Sequence, residues 1–137
     1  MIGIVIVTHR QLGDALIDAS EFILGSRPES VVAVSIDLKE SADKLRKSIA
    51  DSIKKVDGKR GILILTDMFG GTPSNLSYSF LEEGRIEVIS GVNLPILIKA
   101  VESREKTELS ELAVDLETYG KKSISLASGI LKGNKRS

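Results

Sequence analysis

The chain has 137 residues, with 19 basic and 19 acidic side chains and a formal net charge of zero; this is the length of one domain with a real core, without the basic excess of a nucleic-acid binder. It contains no cysteine and a single histidine, which excludes disulfides, thiolate catalysis and a multi-histidine zinc site within one chain. No apolar run reaches the length of a membrane span and no basic leader precedes the first apolar stretch, so a cytoplasmic protein with no direct membrane insertion is expected.

Residues 2–7, Ile-Gly-Ile-Val-Ile-Val, are apolar at consecutive positions and rich in β-branched side chains, the pattern of a strand buried on both faces. Thr8, His9 and Arg10 end it. Leu12, Ala15, Leu16, Ala19, Phe22 and Ile23 fall at helical spacing, and Gly25 is the expected stop. Residues 31–36 form a second strand. Ser41 caps a second helix, whose apolar stripe is Ala42, Leu45, Ile49, Ile53 and Val56 and whose charged face is solvated; Asp57-Gly58 breaks it. Residues 61–65 are a third strand, followed by Thr66-Asp67-Met68-Phe69-Gly70-Gly71. Thr72 suits an N-cap and Pro73 the first helical position, with Leu76, Phe80 and Leu81 carried to a helix end near Gly84. Residues 86–89 are a more polar fourth strand, nearer an edge. Asn93 caps the next helix, which has Pro95 in its first turn and Ile96, Leu97, Ala100 and Val101 on its apolar face. Leu109, Leu112, Ala113, Leu116 and Tyr119 mark another helix, closed by Gly120. Residues 123–127 alternate polar and apolar, which fits a short half-exposed edge strand. Residues 1–131 read as one domain, and 132–137 as a polar, basic tail that frays.

Repeated βα units imply an α/β fold with a doubly wound, mainly parallel sheet and helices on both faces. The most economical strand order is 2-1-3-4, with the C-terminal edge strand antiparallel. Travel reverses between the first and third strands, and ligands of open α/β sheets bind beyond the carboxyl strand ends at that point. His9 ends the first strand and Asp67 the third, so the two should face each other beside the Gly70-Gly71-Thr72 helix start. Glycines there let backbone N–H groups approach an anion, and a helix start adds unpaired donors. An ordinary glycine-rich turn and a histidine without a role are the bland alternatives; the shared location argues against both. No serine or cysteine adjoins the histidine to make a triad, although Ser74 and Thr72 are close in sequence. One nitrogen and one carboxylate make a poor metal site, so no metal or cofactor is expected. The remaining chemistry is histidine as nucleophile toward a phosphoryl group. A carboxylate on one ring nitrogen fixes the tautomer and leaves a lone pair on the other.

Residues 4–9, 65–75 and 89–95 resemble the IIA component of the mannose/fructose family of the bacterial phosphoenolpyruvate-dependent sugar phosphotransferase system. The similarity runs over nearly the whole chain in order and spacing, and D-x-F-G-G-[ST]-P-x-N with S-G-V-N-x-P is specific as a pair. It implies that His9 is phosphorylated by the carrier HPr and passes the group to a IIB component, with Asp67 orienting the ring through Nδ1 and leaving Nε2 free. It implies that Gly70, Gly71 and Thr72 hold the phosphoryl group. It also implies a homodimer in which a C-terminal edge strand is often exchanged. Glycine commonly follows the histidine in that family; here Arg10 does, to pair with the phosphoryl group or a partner, or to point to solvent. Met68 and Phe69 either turn into the core or form an apolar rim for a docking protein, with Asn93 nearby. No IIB segment lies within the 137 residues, so a separate acceptor is expected. The phosphoryl-donor subunit of dihydroxyacetone kinase shares the fold and the histidine. Two other readings stay open: a regulatory phosphoprotein whose His9 state signals to a partner, and a small-molecule-binding flavodoxin-like domain.

Overall fold

In β1 (Gly3–His9), Ile4 and Ile6 face one side of the sheet and Val5 and Val7 the other, and all four are fully buried. A strand apolar at every position belongs inside a sheet covered on both faces. The computed structural model, which describes residues 1–132, has that arrangement. The elements that follow are α1 (Leu12–Leu24), β2 (Val31–Ile36), α2 (Ala42–Val56), β3 (Ile62–Thr66), α3 (Thr72–Tyr78), β4 (Ile86–Ser90), α4 (Leu94–Ser103), α5 (Leu109–Lys122) and α6 (Ala127–Leu131). The sheet has four strands in the order β2-β1-β3-β4, and every pairing between them is parallel. The expected order is therefore the observed one, with the half-buried β4 at an edge.

Two cores flank the sheet. Ile4, Ile6, Leu63 and Leu65 pack with Ile17 of α1, Ile96, Leu97 and Ala100 of α4, and Leu109, Leu112 and Leu116 of α5. On the other face, Val5, Val7, Ile62 and Ile64 meet Leu45, Ile49, Ile53 and Val56 of α2 and Leu76 of α3. Burying each such side chain is worth about 1.5–3 kcal/mol, so layering the sheet between helices is the main stabilising term. At the amino end of the sheet the buried Arg104 donates to the carbonyls of Ile2, Ser30 and Glu29, tying the starts of β1 and β2 to the end of α4.

Capping follows the sequence in part. Gly25 closes α1 in a left-handed conformation, Ser41 Oγ accepts the Lys44 N–H at 3.2 Å, and Asn93 Oδ1 accepts the Ile96 N–H at 2.9 Å. Thr72 is not a cap: α3 starts on it, Gly71 is the cap residue, and no side chain caps the helix. Its end also comes early. The N–H groups of Ser79, Phe80 and Leu81 bond three residues back, and the Ser79 hydroxyl takes the Leu76 carbonyl at 2.6 Å, so the turn tightens and the helix stops before Gly84. Phe22 and Ile23 lie in solvent, Phe22 at 90 % exposure, because they fall on faces of α1 turned away from the buried Gly13, Ile17 and Ser20. Gly120 does not close α5. It is buried inside that helix, where a Cβ would strike the Ile96 side chain, so it serves close packing of α4 against α5.

The segment 123–127 forms no strand in the single chain. Ser123 caps the end of α5, with its hydroxyl on the Tyr119 carbonyl at 2.8 Å, and Ala127 opens α6. Alternation specifies a face; it makes a strand only where an edge is offered to it. Of the expected tail, Lys132 is exposed and 133–137 lie outside the described residues.

Candidate active site

His9 and Asp67 meet at the carboxyl ends of neighbouring strands. β1 and β3 pair in register up to Val7 and Thr66; β1 then runs on beside β2 to His9, and Asp67, just past the end of β3, meets the His9 ring. Asp67 Oδ2 accepts two bonds from one residue: the His9 backbone N–H at 2.8 Å and His9 Nδ1 at 2.7 Å. The other oxygen, Oδ1, accepts the Met68 N–H at 2.9 Å. An ionised carboxylate only accepts, so the proton in the His9 contact sits on Nδ1, and in the neutral ring Nε2 is the nitrogen that keeps the lone pair. Burial pushes the Asp67 carboxyl upward, but the His9 backbone and ring bonds, the charge of His9 and the Met68 N–H outweigh it. The net position is below the usual carboxylate value, and the ionised form is favoured. The side chains are 36 % and 12 % exposed, respectively, so the pair is rooted in the fold and open at the ring.

The two glycines of the loop have different reasons to be glycine. Gly70 has φ +85, the left-handed region, with open space around it. Gly71 has an ordinary φ of −88, but a Cβ there would stand 3.0 Å from His9 Cε1 and 3.6 Å from Nε2. The loop backbone therefore comes to the ring edge that carries the lone pair. Thr72 and Ser74 follow in the first turn of α3, where N–H groups have no intrahelical acceptor. Gly71 thus lies beside Nε2, with Gly70 and Thr72 its neighbours in the chain.

On the other side of the ring, a hollow of about 530 Å³ is lined by His9, Arg10, Gln11, Ser35 and residues 36–39. Arg10 has a left-handed φ of +50, and its N–H bonds the Ile36 carbonyl at 3.3 Å. Its side chain is exposed and in no ion pair among the described residues. Thr8 braces this turn, accepting the Gly13 N–H at 3.0 Å. Met68 and Phe69 are exposed, Phe69 at 78 %, and Phe69 leans on the Tyr78 ring with centroids 6.2 Å apart. Neither turns into the core. Exposed Leu38 and Lys39 stand across the hollow; sequence reasoning passed over them, although the strand-end rule also covers the loop after β2. Asn93 is spent on its cap and lines a different groove of about 580 Å³ along β4, with Tyr78, Ser90 and Ile124. Among the described residues, no three His, Asp or Glu side chains converge as metal ligands would.

An open histidine ring edge beside a glycine loop is compatible with transfer of an anionic group, and comparison with known proteins bears on which group. Residues 3–117 match the family model described as the fructose IIA component of the PTS system. The chain is 32 % identical over 129 residues to the fructose-specific EIIA component of Bacillus subtilis, covering 93 % of this chain and 88 % of that one. It is 33 % identical over 128 residues to the mannose-specific EIIAB component of Escherichia coli, spanning 39 % of that longer protein. The crystal structure of phosphotransferase system component EIIA from Streptococcus agalactiae superposes with a TM-score of 0.83 at 31 % identity, covering 93 % of this chain and 98 % of that one. No helix among the described residues is long and apolar enough to cross a membrane.

Proposed function

The chain belongs to the fructose IIA family of phosphotransferase-system components, and from that premise we propose that His9 is its phosphoryl carrier. The Nε2 lone pair attacks the phosphorus of phospho-HPr. A P–N bond forms to His9, the bond from phosphorus to the donor breaks, and its electron pair returns to the donor. The proton stays on Nδ1, so the phosphorylated ring is cationic and the Asp67 carboxylate, 2.7 Å away, offsets that charge. Backbone N–H groups around Gly70, Gly71 and Thr72 face the phosphoryl oxygens. The reverse step hands the group to a IIB component, for sugar uptake at the cytoplasmic side of the membrane. Met68, Phe69 and Leu38 form the apolar rim on which donor and acceptor dock, with Arg10 beside the anion.

The observation that carries this reading is the pair of hydrogen bonds from His9, backbone N–H and Nδ1, to one Asp67 oxygen, which leaves Nε2 alone at the mouth of the glycine loop. The chain acts as a homodimer in the same proposal. The open edge of β4, its groove and the exposed Leu126 and Leu131 supply the contact surface. Incubation with phosphoenolpyruvate, enzyme I and HPr should give an acid-labile label that is absent from His9→Ala. A label stable to acid, or kept in that variant, would place the chemistry on a hydroxyl and refute the reading.

A further inference from the structure

Ser74 and Ser77 both lie on α3 and both are fully buried, yet their hydroxyls differ completely. Ser77 Oγ has no hydrogen-bond partner among the described residues. Ser74 Oγ is at the centre of a cluster. It bonds the Met68 carbonyl, and it stands 2.6 Å from Thr66 Oγ1 and 3.1 Å from Ser90 Oγ. Tyr78 Oη is 2.7 Å from Ser90 Oγ, which also lies 3.0 Å from Thr66 Oγ1.

A hydroxyl has one proton and two lone pairs, which orders the cluster. A carbonyl only accepts, so the Ser74 proton goes to Met68. Thr66 shares its proton between Ser74 and Ser90, Ser90 donates to the other lone pair of Ser74, and Tyr78 donates to Ser90. Met68 is held on both sides as a result: its C=O by Ser74 and its N–H by Asp67 Oδ1. Beyond it the chain enters the left-handed turn at Gly70. The Asp67 carboxylate is thus set by His9 on one oxygen and by Met68 on the other.

We infer that Ser74, backed by Thr66, Ser90 and Tyr78, is a positioning residue for His9. Holding Met68 keeps the Asp67 carboxylate turned to the ring, with the proton on Nδ1 and the lone pair on Nε2. Without that hold, the loop peptide rotates, Oδ2 leaves the ring and the imidazole populates both tautomers. The kinetic consequence rests on His9 being the phosphoryl carrier; the tautomer consequence does not.

The test compares full-length Ser74→Ala, Tyr78→Phe and Ser77→Ala by nitrogen-15 NMR of the His9 ring and by the labelling rate at saturating phospho-HPr. The wild-type ring should be the Nδ1–H tautomer. Ser74→Ala should show both tautomers and label about tenfold more slowly, as expected when a reacting group loses its orientation. Tyr78→Phe keeps its ring on Phe69 and should move both readouts the same way by less. Ser77→Ala, an equal truncation in the same helix, should change neither. If Ser74→Ala fails to fold, Ser90→Ala removes one of the two donors to Ser74 without touching the loop, and it should give an intermediate shift. A pure Nδ1–H ring in the folded Ser74→Ala protein, or in both Ser90→Ala and Tyr78→Phe, overturns the inference, as does an equal shift in Ser77→Ala. Tautomers that shift as expected in a protein that never takes label would uphold the positioning role and refute the carrier reading.

Discussion

The crevice between β1 and β3 and the C-terminal stretch 123–131 are opposites. In the crevice, polar groups find their partners within the chain: both Asp67 oxygens, the His9 N–H and Nδ1, and the Ser74 hydroxyl. In the C-terminal stretch, apolar side chains face water, Leu126 at 74 % and Leu131 at 85 % exposure. One region is complete in a single chain and the other presents surface still to be covered. Chemistry should therefore belong to the protomer and assembly to the C-terminus, and the two should fail independently.

Asp67→Ala is the sharpest way to break the first half of that contrast. The side chain sits at a strand end, so its loss removes polar contacts and little core volume. Labelling should slow by about a hundredfold, since the ring loses the bonds that fix its tautomer and rotation. Assembly, read by light scattering, should be unchanged. A variant labelled at the wild-type rate would remove Asp67 from the mechanism.

Deleting residues from 123 onward should do the reverse. The helix end at Lys122 and both cores remain, so labelling should persist while the proposed dimer is lost at micromolar concentration. Dimers that survive the deletion would place the contact elsewhere. Gly71→Ala should have a smaller effect, roughly five- to tenfold on labelling, because its methyl group meets His9 Cε1 at 3.0 Å and turns the ring. Thermal stability should barely move, since φ at that position suits alanine. An unaffected rate would mean that the loop yields and that close approach to Nε2 is not needed. Thr72→Ala is the mildest: Thr72 is the first helical residue and caps nothing, so stability should change by less than the 0.5–2 kcal/mol of a lost cap. A calorimetric loss within that range would show that its hydroxyl does cap α3 in solution.

The contrast also explains what was legible in the sequence. β1 and β3 carry unbroken apolar runs, so their burial on both faces, and from it the strand order and the crevice, could be read directly. His9, Asp67 and the two glycines lie within a few residues of those strand ends, and short-range chemistry identified them. The Ser74–Thr66–Ser90–Tyr78 cluster was not legible. Its members come from β3, α3 and β4 and look like ordinary small polar residues until the fold brings them together. Phe22 and Ile23 are apolar at helical spacing but lie off the face of α1 that Gly13, Ile17 and Ser20 bury. Gly120 has the residue type of a helix stop, and only the proximity of Ile96 shows that it is a packing glycine. The alternation at 123–127 reports a preference that the single chain does not realise: Ser123 caps α5 and Ala127 opens α6 instead.

The central claim is that Nε2 of His9 is the atom that carries phosphate, because Asp67 occupies the opposite nitrogen. Phosphorus–nitrogen correlation NMR on the phosphorylated, nitrogen-15-labelled chain tests it directly. Phosphorus coupled to Nε2, in a species missing from His9→Ala, is the expected result. Phosphorus on Nδ1, or bound to oxygen, would contradict it.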